Sequence, residues 1–81
     1  MIPHVVAVEA LPDYRLRLAF LSGEFKLFDV RPFLDKGLFR ELQDETLFAQ
    51  VRLALGTVEW PNGVDFDPEA LFDLSVPIET N

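Results

Sequence analysis

Two runs of alternating side chains flank Ser22-Gly23, and no other feature of this 81-residue chain restricts its fold so strongly. From Arg15 to Leu21, Leu16, Leu18 and Phe20 share one face and Arg15, Arg17 and Ala19 the other. From Glu24 to Val30, Phe25 and Leu27 alternate with Lys26 and Phe28. A period of two marks strands with one buried face. A two-residue loop at Ser22-Gly23 pairs Leu21 with Glu24, Phe20 with Phe25 and Leu18 with Leu27, which brings two apolar faces together. On that register the opposite face mixes Arg15, Arg17 and Lys26 with Ala19, Phe28 and Val30. Arg17 then lies opposite Phe28, in reach of a cation–π contact. Such a face is either solvated or covered by a partner.

The flanking segments extend this hairpin into an α+β domain. Val5 to Ala10 is β-branched and short, which suits a strand, and Leu11-Pro12-Asp13-Tyr14 supplies turn chemistry. An odd loop there sets Val6 and Val8 beside Leu18 and Phe20, and is preferred to an even one for that reason. Arg31-Pro32-Phe33-Leu34 reads as a helical turn with Asp29 upstream as a cap and Gly37 as its end. Leu38, Phe39 and Leu42 recur at helical spacing; Asp44 caps a further turn carrying Leu47, Phe48 and Val51. Val51, Leu53 and Leu55 then alternate as a strand, and Gly56 bulges or turns it. Thr57-Val58-Glu59-Trp60 is β-prone and stops at Pro61, before the turn signal Asn62-Gly63. Asp67-Pro68-Glu69 opens a helix, with Asp at the cap and Pro at the first helical position, and Pro77 ends regular structure. The expectation is one domain over residues 1–81: a small antiparallel sheet of N-terminal hairpins packed on one face by short helices.

Charge is distributed unevenly. The formal net charge is −7. All Lys and Arg lie between Arg15 and Arg52, whereas Glu59, Asp65, Asp67, Glu69, Asp73 and Glu79 follow with no cation among them. Phosphate backbones are repelled by such a segment, so direct nucleic-acid binding is not expected. A basic protein partner is the complement; plain solubility is the alternative. The chain has no Cys, which removes disulfides, thiol chemistry and zinc fingers. A domain this small without staples gains burial from a second subunit or a partner, so a homodimer or a complex is expected. No basic stretch precedes an apolar run at the N-terminus, and no apolar stretch reaches bilayer length, so a cytoplasmic protein without membrane contact is expected.

No catalytic constellation assembles, and no enzyme activity is expected. His4 is the only His, Ser22 sits in a turn and Ser75 near the end, so no nucleophile has an evident base. The glycines are scattered, one to a turn, rather than gathered into a phosphate-binding loop. Asp65, Asp67 and Glu69 alternate but lack the ligand spacing and glycine of a calcium loop, and Pro68 commits Asp67 to capping. No metal or cofactor site is expected. Trp60, followed by Pro-Asn-Gly, is either a core residue with its N–H satisfied near the turn or an interface anchor.

The order of motifs resembles domain-of-unknown-function family 2442. The matching residues are Leu16-Arg17-Leu18-Ala19-Phe20 with Ser22-Gly23-Glu24, Phe28-Asp29-Val30 with Pro32-Phe33-Leu34, and Gly37 with Phe39-Arg40-Glu41-Leu42. Phe48 follows, then the most specific segment, Gly56-Thr57-Val58-Glu59-Trp60-Pro61-Asn62-Gly63-Val64-Asp65-Phe66-Asp67-Pro68-Glu69. The resemblance implies a bacterial α+β protein with no established enzymatic activity, and a place in toxin–antitoxin gene pairs. It brings no catalytic residues. Some relatives carry an added helix-turn-helix domain, which these residues do not contain.

The expected function is therefore that of a protein-interaction module, antitoxin-like, meeting a small basic partner. Its interaction residues are Trp60, Glu59, Asp65, Asp67, Glu69 and Asp73, with Arg17 and Phe28 on the sheet face. The alternative is a small-ligand cleft near Trp60 and Asp65.

Overall fold

Three N-terminal strands form an antiparallel meander: β1 (Val5–Leu11), β2 (Arg15–Phe20) and β3 (Phe25–Asp29). They belong to a computed structural model that describes residues 3–78. After β3 the chain makes 3₁₀ turns at Arg31–Phe33 and Gly37–Gln43, then a short helix α1 (Glu45–Phe48). A second, two-stranded sheet follows, β4 (Arg52–Ala54) with β5 (Thr57–Glu59). Helix α2 (Pro68–Leu74) leads into β6 (Val76–Pro77), which returns to pair with β3. The main sheet has the order β1-β2-β3-β6, all antiparallel. The fold is α+β, as expected from the strand and helix patterns.

The central hairpin exists, but its register differs by one residue from the expected one. Leu16 pairs with Phe28, Leu18 with Lys26 and Ala19 with Phe25. The loop is Leu21-Ser22-Gly23, three residues rather than two, with the Phe20 N–H donating to the Glu24 carbonyl and the Gly23 N–H to the Phe20 carbonyl. Gly23 takes φ +96°, the left-handed conformation that closes a three-residue loop. A slip of one residue turns every side chain of a strand over. Phe28 is consequently in the core at 1% exposure, and Phe25, at 41%, is outside. Arg17 meets the Phe25 ring, 4.8 Å from Cζ to centroid, in place of the expected Phe28.

The first hairpin has the odd loop, Pro12-Asp13-Tyr14, with Asp13 and Tyr14 both at positive φ. Val8 pairs with Leu18 as expected. A bulge between Val5 and Ala7, however, sets Val5 opposite Phe20 and leaves Val6 exposed. The β4–β5 loop is Leu55-Gly56, at φ +51° and +82°, the two-residue turn that matches strand twist. Gly56 has a second reason to be Gly: a Cβ there would stand 2.5 Å from the His4 Nδ1. Leu53 and Leu55 are exposed, so the apolar alternation of β4 points away from the core.

Leu16, Leu18, Phe20 and Phe28 from the main sheet, with Val30 just after β3, meet Leu42, Phe48, Val58, Trp60, Val64, Phe66 and Leu71 from the rest of the chain. Aromatic rings run through this core, with Phe66 edge-on to Phe28, Phe33 and Trp60 at 4.9, 5.2 and 6.0 Å. The Trp60 indole N–H donates to the Phe48 carbonyl at 2.9 Å, so a fully buried ring keeps its polar atom satisfied. The Tyr14 hydroxyl donates to the Gln43 carbonyl and ties the first loop to the 3₁₀ segment. Asp44 accepts from the Thr46 N–H at 2.9 Å as the cap of α1. Asp67 occupies the cap position of α2, yet its side chain accepts no capping bond. Regular structure ends at Pro77 as expected, but as a strand: β6 covers the edge of β3, and beyond it the Ile78 N–H donates to the Phe25 carbonyl at 3.0 Å.

Candidate functional site

A concavity of about 1000 Å³ lies between the β2–β3 turn and α2. Its floor is aromatic. Phe20 is inward-facing on β2, and Phe72 of α2 meets it edge-on at 5.1 Å. Leu21, 73% exposed, stands on the lip beside Ser22.

Carboxylates rim the floor from two elements. Glu24 is the partner of Phe20 across the three-residue loop, so it points to the same side of the sheet. Glu69 and Asp73 are four apart on α2 and share a helix face. None of the three is in an ion pair among the described residues; those pairs are Arg31–Asp29, Lys36–Asp35 and Arg52–Glu59. His4 completes the wall, its carbonyl accepting from the Leu21 N–H at 2.8 Å.

The nearest cation is turned inward. Lys26 follows Glu24 by two residues on the core side of β3 and is 7% exposed. Its Nζ donates to the Phe72 carbonyl at 2.6 Å and lies 3.6 Å from the Phe72 ring centroid. The Ser75 hydroxyl donates to the same carbonyl at 3.2 Å. An ammonium at the C-terminal end of α2 complements the partial negative charge there, and the ring face adds a cation–π contact. Lys26 thus fastens α2 to the sheet and holds Phe72 over Phe20.

The residues singled out from sequence do not form one site. Glu69 and Asp73 enter the groove. Glu59 pairs with Arg52 at 3.1 Å and bridges to Asp65 across the Asn62-Gly63 turn. Asp65 lines a shallower hollow of about 450 Å³ with Lys36, Gly37, Leu38 and Phe39. Asp67 stands at the start of α2. Arg17 is on the outer sheet face with Phe25. Two expectations are corrected outright: Phe28 and Trp60 are buried, at 1% and 0%, and present no surface to a partner or ligand. Trp60 therefore does not line the hollow at Asp65, whose aromatic side chain is Phe39. Asp65, Asp67 and Glu69 diverge, and among the described residues no three acids or His gather as metal ligands would.

Glu24, Phe20, Phe72 and His4 were missed. The signal for Glu24 was the position of Gly23: a glycine third in a loop favours the three-residue turn, which sets Glu24 opposite Phe20. The Ser22 hydroxyl lies 3.4 Å from Glu24 Oε1. What the groove offers chemically is carboxylates over an aromatic floor, suited to a cation that carries apolar surface.

A family model described as a protein of unknown function (DUF2442) matches residues 5–77, and the chain belongs to that family. No curated protein and no solved structure matches the chain. Among the described residues no helix is long and apolar enough to cross a membrane.

Proposed function

We propose that this member of the family is a protein-interaction module, the antitoxin-like half of a bacterial gene pair. It acts in the cytoplasm on a small basic partner encoded nearby. The observation that carries this reading is the exposure of Asp65, Asp67, Glu69 and Asp73 in one stretch of chain without an ion pair among the described residues. Opposed charge on a partner would speed encounter and select against acidic competitors. The chain also forms a homodimer through the outer sheet face. There Ala19, Phe25, Leu27 and Val76 lie among Glu9, Arg15, Arg17 and Asp29, so apolar surface and both signs of charge are self-complementary.

The test is co-expression with the neighbouring gene product. A salt-sensitive complex that relieves the neighbour's toxicity is the expected outcome. A neighbour that neither co-purifies nor loses toxicity overturns the reading. Sedimentation of the purified chain checks the dimer separately, with Phe25→Glu expected to give monomer.

A further inference from the structure

We infer that the groove between the β2–β3 turn and α2 is the docking site for a peptide segment of a basic protein. One large apolar side chain of that segment rests on Phe20 and Phe72, and flanking Lys or Arg side chains reach Glu24 on one side and Glu69 and Asp73 on the other. This rests on the proposed function and assigns its surface, which the charge count alone does not.

Three observations converge. The carboxylates come from two elements far apart in sequence and rim one concavity, while the acids at Glu59, Asp65 and Asp67 lie outside it. The floor and lip are apolar, and Leu21 is among the most exposed large apolar residues of the chain. The one cation beneath the floor, Lys26, is spent on the Phe72 carbonyl and ring, so it offers nothing to an anionic ligand. A nucleic-acid backbone would meet the like-charged Glu24, Glu69 and Asp73 there.

The walls are also set in advance. The turn is closed by the bonds from Phe20 N to Glu24 O and from Gly23 N to Phe20 O. His4 is joined to Leu21 through its carbonyl, and α2 is held by Lys26. A surface whose backbone is already fixed loses little entropy on binding. A space of about 1000 Å³ accommodates several side chains rather than one ion.

The probe is a short end-blocked peptide, Lys-Lys-Phe-Leu-Lys-Lys, titrated into the ¹⁵N-labelled full chain at low salt. The expected result is saturable shifts at Leu21, Ser22, Glu24, Glu69 and Asp73. Binding should weaken at least tenfold (about 1.4 kcal/mol) in the triple variant Glu24→Gln, Glu69→Gln, Asp73→Asn. Leu21→Ser, at an exposed position, should weaken it by a smaller factor with every charge kept. The assignment is overturned by shifts confined to Glu59, Asp65 and Asp67 or to the outer sheet face, by no saturable shift, or by a triple variant that binds as the parent does. The neighbour-encoded protein separates the two ideas. If it binds the parent and the triple variant equally, the groove assignment fails and the proposed function stands; if it binds neither, the function fails.

Discussion

Two turns of this protein share one backbone and serve opposite ends. Phe20 to Glu24 and Trp60 to Val64 are each closed by an N–H-to-carbonyl bond of 2.9 Å between the flanking residues. In each the loop glycine donates back to the first residue, Gly23 at 2.8 Å and Gly63 at 3.0 Å, with φ of +96° and +91°. Around the second turn the flanking side chains, Trp60 and Val64, are both buried. It is sealed by Asn62, which accepts from the Val64 N–H at 3.2 Å and donates to Glu41 at 2.9 Å. Around the first, only Phe20 is buried; Glu24 and Leu21 face the groove. Turn geometry decides the phase of the strand that follows. Whether that phase yields core or an open groove depends on what packs above it.

The largest effects test that phase. Phe28→Glu places a carboxylate among buried rings and should leave no folded population, since a domain of this size has only about 5 kcal/mol to lose. Phe25→Glu, three residues earlier and on the outer face, should cost the monomer less than about 1 kcal/mol, within the usual range for surface changes, when both are compared at a concentration too low for dimerisation. Circular dichroism with urea titration separates the two. The reverse ranking would restore the two-residue loop and refute the observed register. At the sealed turn, Trp60→Ala removes a fully buried ring and should cost about 3–5 kcal/mol; a loss below about 1 kcal/mol would show that Trp60 is not core.

The matched glycines give the sharper comparison. A Cβ at Gly23 or at Gly63 would meet nothing within 4 Å, so substitution is opposed by backbone conformation alone. Gly23→Ala and Gly63→Ala should therefore destabilise by similar amounts, about 1–2 kcal/mol each, in thermal or urea unfolding. A clearly larger loss at Gly63 would mean that the seal around Asn62 cannot tolerate the strain that the open turn absorbs.

Much of this architecture was legible because local signals agreed with the global fold. The β2 face of Leu16, Leu18 and Phe20, the Asp44 cap, the Pro68 helix start and the Asn62-Gly63 reversal all stand where their chemistry puts them. The phase of β3 was not legible from apolar content over Phe25 to Phe28, where each face offers a candidate core ring. Lys26 made the true inward face look like the outward one. Its burial depends on the Phe72 carbonyl and ring, which lie 46 residues further along and have no local signature. The groove was hidden for the same reason. Glu24 and Asp73 become neighbours only after the register and the docking of α2 are both known. The β6 strand escaped because Pro at a two-residue sheet edge leaves little pattern to read.

The smallest predicted effect lies at the far end of the β2–β3 hairpin from its open turn, where charge takes the place that an amide holds at the sealed turn. Asp29 receives the Arg31 guanidinium through Nε, at 3.0 Å to Oδ1 and 3.2 Å to Oδ2, and through Nη2, at 2.9 Å to Oδ2, and accepts the Arg31 N–H at 2.9 Å. The hydrogen bonds from the Arg31 side chain, outweighing the opposing effect of burial, hold the Asp29 carboxyl below its ordinary value of 3.8. A carboxyl whose folded value is lowered stabilises fully above its unfolded value, and that contribution fades as pH falls through the folded one. Asp29→Asn keeps an acceptor for the Arg31 N–H and removes the charge together with the Oδ2 acceptor of the guanidinium. The pair is well exposed, so the variant should lose about 0.2–1 kcal/mol near neutral pH. The gap between parent and variant in urea midpoint should close in acid well below the unfolded value. No gap at either pH would leave Asp29 with backbone capping alone, and the two hairpin ends would then be fastened by the same kind of bond.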